Sequence, residues 1–149
     1  MTSTQTSTPT STPTTTPAAD PATSDETDVR PLSATIDGYF SCWNTVDAAE
    51  RRRLVEAIWT AEARNVDPVL DATGHDGLTA MFAGFHDTYA GHSFRPLGGA
   101  EEHHGIARWG WEMIDPDGNV VLDGIDVAMI ADGRISYLVG FFGADLPAA

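Results

Sequence analysis

The stretch LDGIDVAMIADGRI, residues 122 to 135, constrains the fold more than any other part of the chain. Strand side chains alternate between two faces. Leu122, Gly124, Asp126, Ala128 and Ile130 therefore share one face of a strand drawn here, while Ile125, Val127 and Met129 share the other. Both faces are apolar, so both need cover. Asp132-Gly133 is a two-residue hairpin signal, and RISYLVGFF beyond it supplies the returning strand. Asp126 sits in the middle of this arrangement. A lone charge in such a place is costly, so the group either finds partners or keeps its proton.

Upstream, the pattern is helical. Pro31 suits the first turn of a helix, and Leu32, Ile36, Tyr39, Phe40 and Trp43 recur at helical spacing through PLSATIDGYFSCWN. Asp47 and Glu50 form a capping-box pattern ahead of a second helix that turns Leu54, Val55 and Ile58 inward. AEARNVDP reads as a short strand ended by Asp67-Pro68. HDGLTAMFAGFHDTYAG predicts a third helix, with Leu78, Met81, Phe82, Phe85 and Tyr89 on one stripe. After residue 91 come the strands HSFRPL, HGIARWGWEMI and VVLDGIDVAMI, the last two joined by the turn DPDGN. Helices followed by an antiparallel sheet predict an α+β fold in which a curved sheet and three N-terminal helices enclose a pocket.

Only part of the chain can contribute to that core. Residues 1–30 are mostly Thr, Ser and Pro, with nothing apolar larger than Val after Met1. Such a segment cannot bury enough surface to offset its ordering entropy, so it reads as a disordered tail, soluble or a glycosylated stalk. It lacks the basic start and apolar stretch of a secretory leader. Residues 31–149 are then the single folded domain. The net charge of −14 argues against nucleic acid, which needs an excess of basic residues. No stretch approaches the ~20 apolar residues of a membrane span. The one cysteine, Cys42, leaves no intrachain disulfide and fits the reducing cytoplasm.

YFSCWN, NVDPVLDATGHDG and IDVAMIADGRI, in this order and spacing, resemble motifs of the nuclear transport factor 2-like superfamily over roughly residues 32 to 143. The resemblance implies a cone-shaped α+β fold, often dimeric through its sheet. That superfamily includes SnoaL-like polyketide cyclases, ketosteroid isomerases, epoxide hydrolases, dehydratases and non-catalytic binders, so the fold does not choose the activity. Tyr39, Asp67 and Asp126 are similarly placed to the phenol, the base and the protonated acid of ketosteroid isomerases. That family is a known example of a carboxylic acid kept neutral so that it can donate a hydrogen bond. By the same resemblance, Trp109, Trp111 and Met113 on one strand and Leu138, Gly140 and Phe142 on the last would face the pocket. The segment between Tyr39 and Asp67 is about one helical turn longer than in that family. Limonene-type epoxide hydrolases match less well, because Arg108-Trp109-Gly110 lacks their Arg-x-Asp.

The expected chemistry follows from these residue types. A neutral Asp126 beside Tyr39 offers two donors to one oxygen, and Asp67 near the mouth takes a proton from carbon. Each also has a structural reading: Asp126 as an acceptor holding the sheet, Asp67 as a turn former, Tyr39 as core. Trp43, Phe82, Trp109, Trp111, Met113, Leu138 and Phe142 are the expected pocket wall, with core packing the alternative for the tryptophans. Three tryptophans around one cone favour a flat apolar ligand. No metal or cofactor is expected, since His103 and His104, adjacent on a strand, point to opposite faces. The rival functions are a binding module using the same cavity and a dimeric assembly domain working through its sheet.

Overall fold

The computed structural model describes residues 29–149, so the tail expected over residues 1–30 lies almost entirely outside the described residues. Of its last two residues, Arg30 is fixed by donating to the carbonyl of Ala57 at 2.6 Å. The elements run α1 (Leu32–Asn44), α2 (Ala48–Ile58), β1 (Trp59–Val66), β2 (Asp71–Thr73), α3 (Gly74–Thr88), β3 (Ser93–His103), β4 (Ile106–Ile114), β5 (Val120–Ala131) and β6 (Arg134–Phe142). The six strands form one curved, unclosed sheet in the order β2-β1-β6-β5-β4-β3, and the three helices cover its inner face.

The sheet departs from the expected all-antiparallel form at one seam. β1 runs parallel to β6, with Asn65 beside Leu138 and Val66 beside Val139. A parallel pair needs a long crossover, and everything from α3 to β5 lies between these two strands in the chain. β2, too short and exposed to leave a periodic signal, pairs with β1. β3 extends to His103, well past the expected end near Leu97. Gly98, at φ +73°, absorbs a bulge between Leu97 and Glu101, after which pairing with β4 resumes. Pro96 is tolerated because β3 is an edge strand. His103 therefore ends β3 and His104, at φ 53°, opens the tight turn, and their Nδ1 atoms approach to 3.3 Å instead of facing apart.

Two local contacts set the position of the helices. The Asp47 carboxylate accepts from the Glu50 N–H at 2.8 Å, as the cap pattern expects, although Glu50 turns to Arg53. Thr35 Oγ1 donates to the Gly133 carbonyl at 2.6 Å, pinning α1 to the β5–β6 turn. Tyr39, one helical turn further along, is thereby held over the middle of the sheet. The core joins α1, β1 and α3 to the inner face, with Trp59, Leu78, Phe82, Ile135 and Leu138 almost wholly buried. Among the described residues, no helix is long and apolar enough to cross a membrane.

Candidate functional site

Asp126 projects from the inner face of β5 and is 2% exposed. It has two partners. Tyr39, on α1, donates to Oδ2 at 2.5 Å, and Trp111, on β4, donates its indole N–H to Oδ1 at 3.0 Å. Gly124 makes the second contact possible. It lies opposite Trp111 across the strand pair, and a Cβ there would fall 2.3 Å from the indole ring. The absent side chain lets the indole lie flat over β5 and reach the carboxyl two residues along.

Burial dominates the electrostatics. It pushes the Asp126 carboxyl up to about 7, and the nearby Asp67 carboxylate pushes in the same direction. The Tyr39 hydroxyl and the Trp111 N–H oppose this by stabilising the ionised form. The Tyr39 phenol is itself raised well above its ordinary value, first by burial and then by Asp126. Near neutrality the phenol therefore keeps its proton and the carboxyl is divided between its protonated and ionised forms. Its walls are aromatic: Trp109 packs edge-on against the Tyr39 ring at 5.2 Å, with Trp43 and Trp59 at 6.4 and 6.1 Å.

Above this pair lies a cavity of about 180 Å³ between the inner sheet and helices α1 and α3. Of the expected wall, Trp43, Trp111, Met113, Leu138 and Phe142 line it, as do Tyr39, Asp67 and Asp126. Phe82 and Trp109 do not. Phe82 is fully buried behind Trp43, with ring centroids 4.7 Å apart, and Trp109 supports Tyr39 from behind. Both obey the inward periodicity, but they sit one layer beneath the surface of the cavity. Six further apolar residues line it: Val69 and Leu70 just after Asp67, and Phe85, Tyr89, Phe94 and Leu122 on inward stripes whose depth periodicity cannot give.

Asp67 follows the end of β1 at the mouth of the cavity. Its Oδ1 accepts from the backbone N–H groups of Val69 and Leu70, both at 2.8 Å, leaving Oδ2 without a protein donor among the described residues. The turn-forming role and the cavity-facing position thus coexist in one side chain. Gly140 on β6 brings the two carboxylates together. A Cβ there would lie 3.0 Å from Asp126 Oδ1 and 3.2 Å from Asp67 Cβ. The three predicted residues therefore share one cavity, with the acid–phenol pair on its floor and Asp67 at its rim.

Two polar groups were not singled out by sequence. The indole N–H of Trp43 is buried and has no hydrogen-bond partner among the described residues. Asn65, 1% exposed, lines the cavity from β1. Its signal was available: it stands two residues before Asp67, on the same face of the strand, where a buried strand would carry an apolar residue.

The SnoaL-like domain family matches residues 36–138. A candidate isomerase of the SnoaL-like family from Agrobacterium tumefaciens is 32% identical, with TM-score 0.73, over 76% of this chain and 97% of that one. A candidate SnoaL-like polyketide cyclase from Jannaschia (12% identity, TM-score 0.57) matches 76% of this chain and 88% of its own. A candidate ketosteroid isomerase from Kribbella flavida (15% identity, TM-score 0.56) matches 79% of this chain and 82% of its own. These last two likenesses are of fold alone. No curated protein matches the chain. The chain belongs to the SnoaL-like family.

Proposed function

We propose that this SnoaL-like protein is an acid/base enzyme acting on an apolar carbonyl compound, by isomerisation or a related cyclisation or dehydration. The observation that carries this reading is the buried Tyr39–Asp126 pair, 2.5 Å apart on the floor of a cavity whose rim holds Asp67. Asp67 takes a proton from the carbon beside the substrate carbonyl, and the released electron pair moves onto the carbonyl oxygen. That oxygen accepts a single hydrogen bond from the floor, one fewer than the two donors the residue types alone suggest. With Asp126 protonated, the pair carries two protons: one bridges Oη and Oδ2, and the other points into the cavity. Protonated Asp67 then returns its proton at a different carbon, which completes an isomerisation. The sequence uses only side chains of this chain and calls for no cofactor.

The outer face of the sheet supports a homodimer as the working form. Phe141 stands beside Ile125, Val139 beside Val127 and Tyr137 beside Met129, a continuous apolar grid with Phe141 and Met129 more than half exposed. Sedimentation is expected to give twice the chain mass. Cytoplasmic residence is proposed from the single thiol, Cys42, which is buried and unpaired.

The activity is tested by incubating the protein with a panel of flat ketones and following mass and ultraviolet spectra. Conversion of at least one ketone by the parent protein and none by Asp67→Asn is expected. Tight binding of a ketone without conversion would make the protein a binding module instead.

A further inference from the structure

We infer that the cavity encloses a single ring bearing both the reacting carbonyl and a hydroxyl, and that Asn65 selects this substrate by accepting a hydrogen bond from the hydroxyl. The inference rests on the cavity being the reaction site.

Size sets the first limit. A dry apolar cavity of about 150 Å³ takes a benzene ring, and this one has about 180 Å³. The enclosed part of the substrate is one ring, and a fused polycycle would have to leave most of its body outside the mouth.

Asn65 sets the second. It is an amide within a strand, almost wholly buried, where propensity and burial both favour an apolar residue. Its Nδ2 donates to the sulfur of Met81 at 3.5 Å. A thioether has no hydrogen to give, so it fixes which end of the amide faces it. Oδ1 is left with no partner among the described residues and is itself sealed from water, so accepting from a ligand requires the amide to turn toward the cavity. A buried acceptor without a donor destabilises the free protein, and a Leu of similar volume would remove that cost. The group therefore breaks a local rule with no structural return, which is the pattern expected of a residue kept for a ligand. The other orphan among the lining residues, the Trp43 N–H, belongs to a ring that packs edge-on against Tyr39 at the carbonyl end.

Register fixes the distance. Residues two apart on a strand are separated by roughly 7 Å, so Asn65 lies about that much deeper than Asp67. This spacing places the hydroxyl on the far side of the ring from the carbon that loses its proton.

The test is binding rather than turnover. Affinities of cyclohexanone and of its 2-, 3- and 4-hydroxy derivatives are measured by calorimetry for the parent, Asn65→Leu and Asn65→Ala. At least one hydroxy isomer is expected to bind the parent about tenfold more tightly than cyclohexanone, the scale of one buried hydrogen bond. In Asn65→Leu that ratio falls to near one while cyclohexanone affinity is kept, and the melting temperature of the free variant is not lowered. No preference in the parent, which is measured without any variant, overturns the inference. So does a preference that survives in either variant. The Asp67→Asn protein separates this inference from the catalytic reading, since its hydroxyl preference persists without proton abstraction. Preference through Asn65 with no ketone converted would sink the catalytic reading alone. Conversion without preference would sink this one alone.

Discussion

The floor and the rim of the cavity carry the same residue type under opposite conditions. Asp126 on the floor is held among Tyr39, Trp111 and Trp109, and burial pushes it up to about 7. Asp67 on the rim is half-buried, and one of its oxygens is held by two backbone N–H groups 2.8 Å away. Only one glycine, Gly140, separates the two. In the proposed mechanism, two chemically identical acids are thus assigned to donating and accepting a proton by their surroundings alone. Asp67 also reinforces the contrast, since its charge is one cause of the Asp126 shift.

Substitutions can break this contrast from either side. Removing the rim carboxylate should have the largest effect. Asp67→Asn is expected to lower turnover by roughly 100- to 10,000-fold, the range for a general base, with an unchanged thermal unfolding curve as the check. On the floor, Tyr39→Phe or Asp126→Ala should lower turnover by roughly 100- to 1,000-fold, the scale of one lost oxyanion donor. Asp126→Asn, which keeps a donor, should lose less than Asp126→Ala. Gly140→Ala disturbs the spacing without removing either acid. Its new methyl pushes on Asp126 and Asp67 together, and steady-state rates should fall by less than the ~100-fold that a 1 Å displacement costs.

A further effect, on a different observable, is on the pH dependence of stability. In the folded chain Asp126 holds its proton up to about 7, whereas in the unfolded chain it ionises near 3.8. Between those values the unfolded chain binds fewer protons, so stability falls as pH rises. The contribution is complete below about 3.8 and gone above about 7. Melting temperatures of the parent should carry this downward slope on top of the rest of the protein's pH dependence. Asp126→Asn should lack it and so gain on the parent as pH rises.

How much of this was legible beforehand differs between floor and rim. Asp126 was readable because an acid amid the apolar inward face of 122–130 violates a two-residue period, and such a violation needs a physical reason. Tyr39 and Asp67 were readable only through family motifs, since a tyrosine in an apolar stripe and an Asp before Pro are common for structural reasons. Periodicity gave the inward face but not the depth. Phe82 and Trp109 point inward yet stop one layer short of the cavity, because depth depends on how helices stack on a curved sheet. The parallel seam between β1 and β6 was hidden for a related reason, as strand direction in a sheet is decided by chain path and not by local pattern. Gly124 looked like one more small inward residue. Its role appeared only when Trp111 was found lying against it.

The central claim is that Asp126 keeps its proton near neutrality because it is buried, and a carboxyl titration tests it most directly. Carbon-13 NMR of the aspartate carboxyls, compared with Asp126→Asn, should show one resonance titrating near pH 7 that disappears in the variant. If the resonance lost in the variant instead titrates in the ordinary range near pH 4, Asp126 is ionised at neutrality. It would then be an acceptor for Tyr39 and Trp111, and the acid floor of the cavity would not exist.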